Sequence, residues 1–259
     1  MRYALRITNR LVVSASLIGF VTMPAAAQSV APCVAPSDLT RFHFPLKRTA
    51  QRLGSRGIIT IVALGSSSTA GAGASSPATT YPNRLWVELM RLFPSQPLAV
   101  LNRGVNGELA VDMLARFDRS VAAEHPDLVL WQVGTNAVLR DYQISLSNSL
   151  IHDGISRMKS VGADVVLIDP QFAPRVIVKS TTSTMIELIS AAAEDMKVNV
   201  FHRFALMRYW REWDGMPFEV FLSSDGLHMN DWSYGCLAKL LASAIAGAAT
   251  TEYANTSIH

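Results

Sequence analysis

This sequence has few cysteines, a small net charge and few long apolar runs. The 259 residues include two cysteines, which excludes a framework of several disulfides, and their spacing does not resemble a metal site. The formal net charge is +3, from 23 Lys and Arg against 20 Asp and Glu, and no block of like charges occurs. We therefore expect no nucleic-acid partner. No internal repeat or linker-like stretch marks a second folded domain.

The motifs of phosphate-binding loops, of the α/β-hydrolase elbow and of metal sites are also missing. A phosphate-binding P-loop would need a lysine after Gly71, where the chain continues with Ala72 and Gly73. The Gly-x-Ser-x-Gly elbow of α/β-hydrolases would need a glycine in place of Thr69. We expect no metal and no other cofactor. No two of five histidines form a pair at metal-ligand spacing: His43, His125, His152, His202 and His259.

The N-terminal segment has the three parts of a secretory signal peptide. Its positive charges come from Arg2, Arg6 and Arg10. Residues 11–21 are mostly apolar, and residues 25–27 are alanines before Gln28. A permanent membrane anchor is the alternative, but the apolar run is short against the ~20 residues that span a bilayer. We predict that residues 1–27 are removed, which leaves a formally neutral, secreted or periplasmic protein without a stable membrane anchor.

The rest of the chain is divided by composition. Residues 28–57 contain three prolines and are predicted to be an N-terminal arm on the surface, with at most a short helix near residues 36–40. Residues 58–250 are predicted to be a single α/β domain, and residues 251–259 a frayed tail. The sequence leaves the oligomeric state open.

Cys33 and Cys236 form a candidate disulfide. An oxidising compartment favours pairing of an even number of cysteines. The bridge would close a long loop and stabilise the fold by a few kcal/mol in the chain-entropy model. Two unpaired thiols are the alternative.

Five apolar runs alternate with segments of helical periodicity. The predicted strands are 58–64, 98–101, 127–133, 164–168 and 198–201, and the main predicted helices are 81–93, 110–123, 144–161, 182–196, 204–213 and 231–249. Strands that alternate with helices in this way predict a parallel sheet covered on both faces.

Small or amide residues follow three of the predicted strands. Ser67 lies in a Ser/Gly-rich run after the first strand, Gly107 follows the second and Asn136 the third. The carboxyl ends of parallel strands meet at one edge of the sheet, where ligands bind in open α/β sheets. These residues can therefore converge. A flexible Ser/Gly loop, or ordinary turns, are the alternatives for each taken alone.

Asp225 and His228 stand three residues apart around a glycine turn near the C-terminus. A carboxylate beside an imidazole holds the tautomer that accepts a proton. Together with Ser67, they can perform acyl transfer: the serine attacks a carbonyl carbon, the histidine moves its proton and the aspartate orients the imidazole. The N–H groups of Ser67 and Gly107 and the Asn136 amide are the candidate oxyanion-hole donors.

The order Gly-x-Ser, a lone Gly, Gly-x-Asn and Asp-x-x-His resembles the SGNH, or GDSL-like, hydrolase family over about residues 58–249. The resemblance implies a three-layer α/β/α sandwich with a five-stranded parallel sheet of flavodoxin-like type. It also implies the roles just given to Ser67, Gly107, Asn136, Asp225 and His228. The family's Gly-Asp-Ser-Leu block reads Gly-Ser-Ser-Ser at residues 65–68, and Ala137 stands where the family often has Asp. The register with Gly65, Thr69 and Gly71 selects Ser67 as the nucleophile.

The predicted function is that of a secreted serine esterase that acts on carboxylic esters, either small acyl or acetyl esters or O-acetylated glycans. An O-acyltransferase that passes the acyl group to a sugar hydroxyl would use the same residues. A non-catalytic carbohydrate-binding module of the same fold is the third hypothesis. It is disfavoured because binding alone has no need of serine, histidine and aspartate together.

Overall fold

A computed structural model describes residues 32–55 and 57–256, with side chains up to residue 250. The predicted signal peptide, residues 1–27, lies outside the described residues. The described residues from Val34 onward form one compact unit, which contains the sheet. Cys33 and Cys236 are both disulfide-bonded, and the chain has no further cysteine.

The centre of the fold is a five-stranded parallel sheet, as predicted. Its strands are β1 (Ile59–Gly65), β2 (Leu98–Gly104), β3 (Leu128–Gln132), β4 (Asp164–Ile168) and β5 (Asn199–Phe201). Their order across the sheet is β2-β1-β3-β4-β5, which is the flavodoxin-like order. β3 is buried throughout and β1 almost so, because both faces of the sheet are covered by helices.

Twelve α-helices accompany the strands among the described residues. They are α1 (Lys47–Ser55), α2 (Ser67–Ala70), α3 (Tyr81–Leu92), α4 (Ala110–Ala115), α5 (Phe117–Ser120), α6 (Thr135–Leu139), α7 (Ile144–Ser160), α8 (Pro174–Ile177), α9 (Thr182–Asp195), α10 (Arg203–Glu212), α11 (Phe218–Phe221) and α12 (Asp231–Thr256). Helices α1, α3 and α12 pack together in one layer, and α4, α7 and α9 in another. The α/β/α layering is thus the predicted one.

Helix α1 is absent from the prediction of an irregular N-terminal arm. Its first turn is capped by a carboxylate that is remote in sequence, because the N–H groups of Arg48 and Thr49 donate to Asp164 at the start of β4, at 3.3 and 2.8 Å. Arg48 and Arg52 also each place Nε 2.8 Å from Oδ1 of buried Asp127. The helix is therefore held by carboxylates at the amino ends of β3 and β4, and no local capping residue precedes it.

Three other predicted helical segments differ in extent. The helix predicted over residues 110–123 is divided into α4, α5 and a 3-10 turn at Ala122–Glu124. The short helix near residues 36–40 is a 3-10 turn at Ser37–Leu39, and the final helix continues beyond residue 249 to Thr256. The interruption between α4 and α5 falls at Arg116, a buried residue whose guanidinium turns towards the loop after β2.

Gly104 allows the close approach that sets the position of α2. A Cβ added there would lie 2.1 Å from the backbone N of Ala70 and 2.5 Å from the carbonyl carbon of Thr69. Any side chain at residue 104 would therefore push α2 away from the end of β2. Since Ser67 is the first residue of α2, this contact determines where its hydroxyl lies.

Candidate active site

Ser67 lies at the carboxyl end of β1, between two buried serines. The N–H and Oγ of Ser66 both donate to Oε1 of Gln132, the last residue of β3, at 2.9 Å. Ser66 and Ser68 are 2% and 1% exposed, whereas Ser67 is partly exposed. Ser67 is thus the member of the Gly-Ser-Ser-Ser run with an accessible hydroxyl.

The structure brings together Ser67, His228 and Asp225, the three residues predicted to form a triad. Oγ of Ser67 is 2.8 Å from Nε2 of His228, across 161 residues of sequence. Nδ1 of the same imidazole is 2.5 Å from Oδ2 of Asp225. A hydroxyl, an imidazole and a carboxylate therefore form one continuous hydrogen-bonded chain.

A tight turn holds the Asp225 carboxylate against the imidazole. Oδ1 accepts from the N–H groups of Leu227 and His228, both at 2.9 Å, and from the Ser223 hydroxyl at 2.7 Å. Gly226 within the turn has φ +62°, a conformation that favours glycine. Burial alone would raise the pKa of Asp225, but the hydrogen bonds from His228, Leu227 and Ser223 hold that pKa well below its usual range. The carboxylate is charged at neutral pH.

Side chains that the sequence reading did not single out join the serine loop to the histidine loop. The N–H of Ser75 donates to Oδ1 of Asp231 at 2.8 Å, and the Tyr234 hydroxyl donates to the Ala72 carbonyl at 2.7 Å. A Cβ at Gly73 would meet the Met229 carbonyl oxygen at 2.3 Å. Helix α12, which begins at Asp231, thereby fixes the distance between the two loops. No sequence motif marks these contacts, because each joins residues more than 150 positions apart.

A buried polar network lies behind the residues that follow β3. The Thr135 hydroxyl donates to Oε1 of Gln171 at 2.9 Å, and Nη2 of Arg203 donates to the same oxygen at 3.0 Å. Nε2 of Gln171 is 3.4 Å from the Leu227 carbonyl, beside His228. This network connects the start of α6 with the histidine loop, and the sequence reading missed it as well.

Gly107 follows β2 and Asn136 follows β3, the two strands on either side of β1. The loop that carries Gly107 is joined to the end of β1, because the Val105 N–H donates to the Gly65 carbonyl at 3.0 Å. Gly107 has φ +78°. Nδ2 of Asn136, in α6, donates to the carbonyl of Glu108 at 2.8 Å. The two proposed oxyanion donors thus come from loops in direct contact with each other.

Two further properties concern metals and membranes. Among the side chains that the structure describes, no group of three or more His, Cys, Asp and Glu is arranged to hold a metal ion. Within the same described part of the chain, no helix combines the length and hydropathy needed to cross a membrane.

A doubly wound α/β sheet with hydrogen-bonded serine, histidine and aspartate at its carboxyl edge is an arrangement typical of serine hydrolases. The chain belongs to the Non-GDSL lipase-like family, whose profile matches residues 32–251. This finding is consistent with the predicted SGNH, or GDSL-like, relationship. The Gly-Ser-Ser-Ser run is where the chain departs from the Gly-Asp-Ser-Leu block.

Individual relatives are similar over shorter stretches. An acetylxylan esterase from Geobacillus stearothermophilus is 34% identical over 56 residues, which cover 22% of this chain and 26% of the relative. An arylesterase from Vibrio mimicus is 32% identical over 79 residues, 30% of this chain and 40% of the relative. The aligned stretches thus span less than half of the curated relatives' length.

The fold has close structural counterparts. The crystal structure of Axe2, an acetylxylan esterase from Geobacillus stearothermophilus, superposes with a TM-score of 0.61 at 17% identity. The superposition covers 72% of this chain and 94% of Axe2. At this identity the likeness concerns the fold.

Proposed function

We propose that this protein is a serine esterase that hydrolyses carboxylic esters through an acyl-enzyme on Ser67. The observation that carries the proposal is the hydrogen-bonded chain from Ser67 through His228 to Asp225, with separations of 2.8 and 2.5 Å. The family membership and the esterase names of the relatives support the same reaction class.

The reaction proceeds in two halves. Oγ of Ser67 attacks the ester carbonyl carbon while Nε2 of His228 takes the hydroxyl proton, and the imidazolium then gives that proton to the leaving alcohol. In the second half, water attacks the acyl-enzyme, its proton passes to Nε2, and the Ser67–acyl bond breaks to release the carboxylic acid and restore the hydroxyl. Asp225 keeps Nδ1 protonated and stabilises the imidazolium in both halves.

The oxyanion that forms in each half needs fixed donors. The N–H of Ser67, at the first position of α2, has no partner within that helix. The N–H of Gly107 and the second N–H of the Asn136 amide are the other proposed donors. Each such donor contributes roughly 3–4 kcal/mol, about 10²–10³ in rate.

The proposed substrates are small acyl esters, including acetyl esters of glycans. The name of one relative, acetylxylan esterase, favours acetyl as the acyl group. The proposed location is outside the cytoplasm, because residues 1–27 have signal-peptide composition. N-terminal sequencing of the purified protein is expected to begin at Gln28, and an intact Met1 would contradict this location.

A panel of esters tests the proposed function. We expect the purified protein to hydrolyse p-nitrophenyl acetate, to release acetate from acetylated xylo-oligosaccharides and to lose rate with longer acyl chains. A fluorophosphonate is expected to label one serine per chain and to block both activities. Absence of both hydrolysis and labelling would overturn the proposal in favour of a binding module.

The acyltransferase hypothesis gives a different result in the same panel. An added sugar acceptor would speed ester consumption, and mass spectrometry would detect the O-acylated sugar in place of free acid. A hydrolase shows a rate independent of the acceptor. The two outcomes therefore separate water from a sugar hydroxyl as the second nucleophile.

A further inference from the structure

Two successive carbonyls after β2 are held by the same short segment of chain. Nη2 of Arg140, the residue after α6, donates to the Gly107 carbonyl at 2.7 Å. Nδ2 of Asn136, one helical turn earlier, donates to the Glu108 carbonyl at 2.8 Å. The peptides that contain these two carbonyls are therefore oriented by α6 and its C-terminus. Gly107 has φ +78°, a backbone conformation that favours glycine.

The side chain of Glu108 anchors the same loop from the opposite side. Its carboxylate receives Nε of Arg116 at 2.9 and 3.0 Å and Nη2 at 2.6 Å, a bidentate pair. The two side chains are 13% and 6% exposed, so the pair is nearly removed from water. Nη2 of Arg116 also donates to the Arg103 carbonyl at 2.8 Å, next to the end of β2.

We propose that Arg140 and Arg116 are positioning residues for the oxyanion hole. This inference rests on the proposed esterase function. A primary amide carries two N–H donors. The Glu108 carbonyl takes one N–H of Asn136, which fixes the plane of the amide and leaves the second N–H for the oxyanion. The Arg140 bond fixes the peptide between Gly107 and Glu108, which is joined to the Gly107 N–H through the Gly107 Cα, and so limits the directions in which that N–H can point.

A positioning role of Arg140 can be told apart from a structural role by measurement, because its side chain is exposed and contributes little to stability. Loss of its guanidinium leaves the Gly107 carbonyl accessible to water, and surface substitutions of this kind change the free energy of unfolding little. An oxyanion donor, by contrast, acts only when it lies about 2.7–3.1 Å from the developing charge. A small shift of the loop therefore affects the rate more than the stability.

The test replaces Arg140 and compares kcat with KM for p-nitrophenyl acetate. We expect Arg140→Met to lower kcat about tenfold, with KM within about twofold and an unchanged midpoint of urea unfolding. Arg140→Lys keeps an N–H donor and is expected to restore most of the rate. The matched control is Lys179→Met, which removes the exposed ion pair to Asp141, 2.6 Å long, beside Arg140 and is expected to leave kcat unchanged.

A double variant tests whether Arg140 acts through the oxyanion hole. If both residues align one hole, Arg140→Met should cost less than about twofold in an Asn136→Ala background. Fully multiplicative losses, or an unchanged kcat in Arg140→Met, would overturn the inference. Failure of the esterase proposal is distinguishable, because the wild-type protein would then neither hydrolyse p-nitrophenyl acetate nor react with a fluorophosphonate.

The Arg116–Glu108 pair is tested at Glu108, because Arg116→Met would leave the nearly buried Glu108 carboxylate unpaired and could unfold the protein. Glu108→Gln keeps the backbone carbonyl and part of the hydrogen bonding. We expect it to lower kcat severalfold in protein that urea unfolding shows to be folded. Glu124→Gln breaks the Arg103–Glu124 pair near the same strand end and serves as the control with unchanged kcat. A wild-type kcat in folded Glu108→Gln would contradict the role of the pair.

Discussion

Ser67→Ala is expected to lower kcat for p-nitrophenyl acetate by roughly 10⁴- to 10⁶-fold, because it removes the hydroxyl that is hydrogen-bonded to Nε2 of His228 and forms the acyl-enzyme. The residual rate would come from direct attack of water on an ester whose carbonyl oxygen is held in the oxyanion hole. Steady-state kinetics of the variant and loss of fluorophosphonate labelling measure the effect. The free energy of unfolding is expected to change little, since the lost hydrogen bond lies in a partly exposed site.

Ser66→Ala is the matched control for this result. Gln132 Oε1 keeps the Ser66 N–H when the Ser66 hydroxyl is lost, so the buried amide is not left without a partner. We expect a stability loss of about 1 kcal/mol and a kcat close to that of the wild-type protein. Full activity in Ser67→Ala together with inactivity in Ser66→Ala would show that the nucleophile is the preceding serine.

Strand runs and strand-end residues made the sheet predictable from the sequence. Ile59–Gly65 and Leu128–Gln132 are apolar because both faces are covered, and that property is readable without coordinates. Asp225 and His228 were also predictable, since a turn places them side by side by local geometry. Their contact with Ser67 followed only from assigning all strand ends to one edge.

Contacts between remote side chains were not predictable. Helix α1 takes its cap from Asp164, and the break after α4 falls at Arg116, whose guanidinium is bonded to Glu108. Arg140 stands in the sequence as an ordinary surface arginine, and its bond to Gly107 spans 33 residues. Periodicity and turn chemistry report local preference, whereas these features depend on which loops the sheet brings together.

Asp225→Asn is the second variant with a large expected effect, because the direction in which the new amide points is forced. Three donors, the N–H groups of Leu227 and His228 and the Ser223 hydroxyl, converge on Oδ1. The asparagine oxygen must occupy that position to accept them. Its NH₂ group then replaces Oδ2 and faces Nδ1 of His228. Two N–H donors cannot face each other, so Nδ1 loses its proton and Nε2 gains one.

A protonated Nε2 cannot accept the Ser67 proton, and we expect kcat/KM to fall about 10⁴-fold near neutral pH. The control is Asp214→Asn, which makes the same change at an exposed carboxylate after α10 and is expected to retain the activity. A loss smaller than about tenfold in Asp225→Asn would contradict the tautomer argument.

The pH dependence of the wild-type protein checks the same carboxylate independently. Because its hydrogen bonds hold the pKa of Asp225 below the usual value, the carboxylate stays charged as the pH falls through the mildly acid range. Asp225 therefore adds no protonation step to the loss of activity in that range. We therefore expect log kcat/KM to decline on the acid side with a slope of one. A slope of two would mean that Asp225 also gains a proton there, and the hydrogen bonds of the turn would not account for its charge.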